Sequence, residues 1–451
     1  AIERCEELET LCGQMLKYSL GDYEDPQRGD IVEKLQCDIY LLVDDVVEAI
    51  YAKSKNSYVY VQKHLYSKWS LDLSFVDDSV LEEDRETFDL LWEDGLKRIF
   101  CSLWLMGRLS VDECNYVIAF LCDDGISLTP RAMALSALML KALRIYDEFV
   151  FSIFLDVLEC ENAVLRARAM VGLLMLLAVH GKRVERNGVL KERIERLFEN
   201  DKNVGAIDKA YKHIINTFGT DKVTKKITTE IYPEIFKSGA KLHQMLKEEG
   251  GDAMNDDEFN PKWEKALMDD EGVSAKLREF GDMQMQGADV YMSTFSSMKG
   301  YSFFNELAHW FMPFDVKQGD VARMMADMPD VLRFFAESTH ICNSDKYSFF
   351  YSIAQIPAEN FKSMMTGMGA DAEAVREDLD SESWKNNPEK LYAVEVRNYV
   401  LDLFRFYRLY PRRKEFVNPF DFIDKFESDG WLFGLMGLDL KKSVCKYLFE
   451  V

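Results

Sequence analysis

The run AMVGLLMLLAVH, Ala169 to His180, limits the possible folds more than any other stretch. It is apolar around nearly the whole helical circumference, so it needs neighbours on several sides. It is too short to span a bilayer, and Arg168 and Lys182 stand close by. A helix enclosed by other helices is the solution left. A related run exists: RAMALSALML begins at Arg131 and RAMVGLLMLL at Arg168, an offset of about 37 residues. Each follows a more mixed amphipathic segment, as the inner member of a helical hairpin follows the outer one.

The remaining pattern agrees. Helical periodicity predicts helices over about 2–20, 27–53, 57–69, 82–107, 110–122, 129–145, 147–159, 161–181 and 187–199. The best strand candidate, NSYVYVQ, runs straight into the helical KHLYSKW. Pro26, Pro130 and Pro329 each precede an apolar-periodic run, where a helix should begin. The expected class is all-α, with stacked antiparallel helical hairpins in the N-terminal half and an irregular helical C-terminal half.

A hairpin period near forty resembles the HEAT and armadillo class of α-solenoids. That resemblance implies a curved surface offered to a protein or peptide partner. The layout also resembles bacterial proteins that carry tetratricopeptide repeats after such a segment. The W-x-x-L-G-x-x-Y pattern of that repeat is absent, so this second resemblance implies architecture only.

Three units are expected: a helical region at 1–219, an irregular acidic linker at 220–269 and a helical region at 270–451. The linker carries paired glycines and clustered acids in KEEGGDAMNDDEFNP. A second acidic stretch, GADAEAVREDLDSESWKNNPEK, interrupts the last unit. The final LDLKKSVCKYLFEV reads as the first helix of a further hairpin. A solenoid needs a polar terminal cap, and Leu448 and Phe449 stand there instead. The expectation is that the chain continues, or that another subunit covers this end by self-association. The first residue is Ala1 rather than an initiator Met, as expected of a processed or trimmed chain.

Charge narrows the partners. The formal net charge is -23, which repels phosphate backbones and anionic membranes and suits basic partner proteins. Nine cysteines form no C-x-x-C pair, which excludes zinc-ribbon and thioredoxin readings. Most sit inside apolar runs and are expected to be buried free thiols in a reducing compartment, so a cytoplasmic location is expected.

Two constellations invite a functional reading. Glu306 with His309, and Glu337 with His340, have the Glu-x-x-His spacing of di-metal carboxylate sites. At about 100° per residue, Phe303, Phe304, Leu307, Trp310 and Phe311 share one face, and Glu306 and His309 fall opposite. Val331, Leu332 and Phe335 similarly place Glu337 and His340 on a polar face, with Arg333 between them. A guanidinium there opposes a cation, so polar faces are expected, with no metal and no cofactor. The second constellation is basic and aromatic: Arg405, Arg408, Tyr410, Arg412, Arg413 and Lys414, interleaved with Phe406 and Tyr407. It suits an acidic partner segment or, against the net charge, a nucleic acid strand. Met285, Met292 and Phe295 fall near one helical face, as core or as an adaptable groove. No G-x-S-x-G, P-loop or H-E-x-x-H is present. The expected function is a non-enzymatic helical scaffold for a protein or peptide partner. A di-metal enzyme and a nucleic-acid-binding scaffold are the alternatives.

Overall fold

The computed structural model describes residues 2–21, 25–55, 57–66, 85–231, 299–316, 319–326, 341–355, 387–423 and 430–450, with isolated positions including Asp289, Phe295 and Ala336. Among them every regular element is helical and none is a strand. The protein is all-α.

The N-terminal helices are α1 (Ile2–Ser19), α2 (Arg28–Lys53), α3 (Tyr58–Tyr66), α4 (Arg85–Leu105), α5 (Val111–Cys122) and α6 (Leu128–Arg144). Then come α7 (Glu148–Val157), α8 (Ala163–Glu185), α9 (Gly188–Glu199), α10 (Asp201–Thr217) and α11 (Thr220–Lys226). The C-terminal part holds α12 (Gly319–Ala326), α13 (Asn343–Ile353), α14 (Pro388–Leu409), the short α15 (Phe420–Ile423) and α16 (Trp431–Leu435), and α17 (Leu438–Glu450). The strand candidate NSYVYVQ lies within and just before α3, where a helix was expected.

Local chemistry sets the boundaries. Ser110 and Glu113 form a reciprocal capping box at α5. Asp147, Asn162, Asn187 and Asn387 accept first-turn backbone N–H groups at α7, α8, α9 and α14. Pro388 opens α14, where no N–H is needed. Pro130 falls in the first turn of α6, and Pro329 lies outside the described residues.

The two apolar runs form the centre. Every residue of α6 from Thr129 to Leu143 is buried, as is α8 from Ala167 to Leu177. α6 packs between α4 and α8, while α5 and α7 pack against each other and each against an inner helix. α8 packs against α6 and α7 and is crossed by α14. That crossing explains why α8 is apolar on all sides, and it covers the flank an open hairpin stack would leave bare. α14 also packs against α10, so residues on both sides of the expected linker share one hydrophobic cluster. By length and composition α8 alone among the described helices could cross a membrane, and its apolar window is mostly buried by its neighbours.

Arg168 stitches the repeat together. Its Nη1 donates to Ala132 O at 3.1 Å, Ser136 Oγ at 2.7 Å and Phe311 O at 2.8 Å. The guanidinium lies 4.7 Å from the Tyr399 ring centre. The second copy is thus bonded to the first copy, to the 300s segment and to α14 through one buried side chain.

Candidate functional site

The basic-aromatic segment divides between core and surface. Arg405, expected among the residues that meet a partner, is fully buried. Its Nε and Nη2 donate to the two oxygens of Asp289 at 2.7 and 2.6 Å, and Nη1 donates to Asp345 Oδ1 at 2.7 Å. Ser344 Oγ accepts from Nη1 at 2.8 Å. Burial works against the charged guanidinium, but Asp289 and Asp345 override it and hold the pKa above the ordinary arginine value. Arg405 therefore cannot meet a partner. Tyr410 is also buried, stacked on Phe406 at 5.1 Å. Arg408 is half exposed and pairs with Asp221 at 2.7 Å. Arg412 pairs with Glu415 at 2.6 Å and lies over the Tyr58 ring. Arg413 donates to Tyr410 O at 3.3 Å, and Lys414 is exposed. The six residues do not form one surface.

The first Glu-x-x-His pair is displaced from its expected geometry. Its segment is not an α-helix but two 3-10 turns, Ser302–Asn305 and Ala308–Phe311. The tighter turns rotate His309 off the polar face, and it is buried, which corrects the expected exposure. The imidazole stacks on Phe303 with 4.3 Å between ring centres. Nδ1 lies 2.8 Å from Phe303 O, and Nε2 lies 3.1 Å from Glu93 Oε1 on α4. Both ring nitrogens thus face protein atoms rather than an open coordination site. Close approach of His309 and contact with Lys97 hold the Glu93 carboxyl down to about 2, against the opposing effect of burial. Glu306 is exposed. His309 and Glu306 line a cavity of about 280 Å³ with Trp92, Tyr347 and Tyr351. Glu337 and His340 lie outside the described residues. Among the described residues no group of three or more His, Cys, Asp or Glu is gathered for a metal ion.

Cys342 is buried beside Arg405, Asp289 and Asp345: its Sγ lies 3.1 Å from Arg405 Nη1. Burial pushes its thiol well above the ordinary range despite Arg405, so it is held protonated. Phe295 packs into the core beneath Arg405, and Met285 lies outside the described residues.

The feature with the most unusual chemistry is α2, for which the sequence suggested no role. α2 points its carboxylates at the body. Asp44 forms a two-pronged pair with Arg183 of α8, at 2.5 and 3.0 Å. Asp45 pairs with Arg108 at 2.6 Å. Glu48 meets Lys63 at 2.6 Å and also Arg144. Burial raises the Glu48 pKa, but Arg144 and Lys63 bring it below the ordinary carboxylate value. The other side of α2 presents Val43, Val46, Val47 and Ile50 to solvent, with Val43 49% and Ile50 61% exposed. Tyr40 borders them, under the Arg183 guanidinium at 4.9 Å. At about 100° per residue these five fall on one face. α1 covers a different flank of α2: Arg4 bonds Asp38 at 3.1 Å, and Leu8 is buried. Between the two helices lies a groove of about 340 Å³ floored by Leu11, Met15, Ile31 and Leu35.

No family model, curated protein or solved structure matches this chain. The site is therefore read from its own chemistry. Helices on a protein surface ordinarily turn apolar residues in and charges out. α2 does the reverse. None of its residues is buried, although valine, leucine and isoleucine fill much of its length. Val43, Val46, Val47 and Ile50 thus form a contiguous apolar strip open to solvent.

Proposed function

We propose that this protein is a non-enzymatic helical scaffold in which paired helices stack in a HEAT-like manner and the α1–α2 hairpin holds a protein partner. The observation that carries the reading is the inverted α2, whose exposed Val43, Val46, Val47 and Ile50 form a stripe suited to another helix. The partner segment is a cationic amphipathic helix. Residues 2–53 contain thirteen acidic side chains against five basic ones, and Glu3, Glu6, Glu7 and Glu33 are all exposed. Such a rim favours a basic ligand and opposes a second copy of the same acidic hairpin. The nine free thiols fit a reducing compartment such as the cytoplasm.

The test uses two synthetic amphipathic helices of identical apolar face, one carrying lysines and one glutamates. Binding to the full chain is followed by fluorescence anisotropy at low and high salt. The lysine peptide is expected to bind, more weakly as salt rises. Val43→Ser with Val47→Ser removes apolar area without adding charge, and should weaken binding about tenfold or more. Equal binding of both peptides, or unchanged binding to the double variant, contradicts the reading. A dimer in light scattering that the double variant dissolves replaces the partner with a second copy.

A further inference from the structure

Cys122 closes α5, and Cys160 follows the end of α7, so the packing of these two helices brings the thiols to the same place. Their Sγ atoms are 3.2 Å apart. Cys122 is exposed and Cys160 is partly buried. By contrast Cys101, Cys114 and Cys342 are buried, so the expectation that most thiols are buried holds for only three of the nine.

We propose that Cys122 and Cys160 are a site of reversible disulfide formation, oxidised by exchange with a low-molecular-weight disulfide of the glutathione type. A bonded pair needs its sulfurs about 2.05 Å apart, so closure requires an approach of roughly 1 Å. The exposed Cys122 thiolate attacks one sulfur of the small disulfide, and the other sulfur leaves as a thiolate. Cys160 then loses its proton to solvent and attacks the Cys122 sulfur of the mixed disulfide. The second small thiolate departs. Two protein thiols are oxidised and one small disulfide is reduced to two thiols. Burial and the neighbouring free Cys122 push the Cys160 thiol up to about 12, so the exposed Cys122 attacks first and proximity carries the second, intramolecular step.

The bond would join the end of α5 to the end of α7. It would enclose α6 and α7 in a covalent loop, so the oxidised chain should resist unfolding more than the reduced one. This inference is independent of the proposed partner surface.

The experiment incubates the full chain with mixtures of reduced and oxidised glutathione. Intact mass, a proteolytic map and thermal unfolding are then recorded under non-reducing conditions. The expected product has lost two hydrogens, yields one linked peptide containing Cys122 and Cys160, and melts at a higher temperature. Reductant reverses all three changes. Cys122→Ser and Cys160→Ser each abolish the linked peptide and the melting shift, whereas Cys445→Ser abolishes neither. Separate glutathione adducts on Cys122 and Cys160 with no linked peptide overturn the proposal. So does a linked peptide formed from any other pair alone.

Discussion

Arg405→Met removes a buried cation while keeping most of the side-chain length. The two Asp289 oxygens would lose donors at 2.6 and 2.7 Å, and Asp345 would lose one at 2.7 Å. Asp289 and Arg405 are fully buried in side chain, where no water can compensate, and Asp345 keeps 17% exposure. Removing one member of such a group costs about 3–5 kcal/mol, because the remaining charges stay buried without a counterion. The pH dependence gives a second reading. Burial raises the Asp345 pKa in the folded protein, and the Arg405 guanidinium is the main influence pulling it back. Without the guanidinium, the folded-state pKa rises further above the unfolded one. A carboxyl shifted upward destabilises the fold above its unfolded pKa, and the penalty shrinks as pH falls. Urea unfolding followed by circular dichroism should therefore show the variant losing most at pH 7.5 and less at pH 5.5. Adding Asp289→Asn and Asp345→Asn should recover much of the loss and flatten this difference. A loss below about 1 kcal/mol, or one equal at both pH values, would refute the assignment of Arg405 as a structural cation.

Gly172→Ala should destabilise the protein although alanine is the better helix former. A Cβ there would stand 2.2 Å from Phe154 Cε1, and that ring is fully buried. Overpacking costs about 1–3 kcal/mol against a helix-propensity gain of about 1 kcal/mol. A higher urea midpoint would show that α7 and α8 do not approach so closely, and Phe154→Leu in the same chain should relieve the loss. Half-buried His180 and His213 have pKa values driven down to about 4, mainly by desolvation. The unfolded chain takes up these protons near pH 6.5, so stability present above that value is lost as pH falls from 6.5 towards 4. Each histidine should contribute on the order of 2 kcal/mol to this loss. Replacing both with Gln should make the dependence of the urea midpoint on pH between 6.5 and 4.5 shallower, and an unchanged slope would count against burial as the cause.

The parts of the fold legible in the sequence are those where one helix decides its own surroundings. The runs from Arg131 and Arg168 had to be enclosed, and α6 and α8 are the most enclosed helices described. Asp147, Asn162 and Asn187 accept N–H groups within three residues of themselves, so short-range pattern suffices. Arg405 was misread because its carboxylates lie 116 and 60 residues away, and nothing near it signals burial. His309 was misread because a 3.6-residue period was applied to 3-10 turns. α2 differs again. DIYLLVDDVVEAIY carries apolar residues on more than one face, so periodicity cannot say which face turns inward. What decides it is the arrangement of Lys63, Arg144 and Arg183 on three other helices and Arg108 in the loop between α4 and α5, opposite Asp44, Asp45 and Glu48. Paired carboxylates gain stability where a valine stripe would leave those cations without partners. The cost is an apolar face left to solvent. An orientation fixed by distant cations is invisible to any local reading, and it is also what leaves Val43, Val47 and Ile50 exposed to solvent.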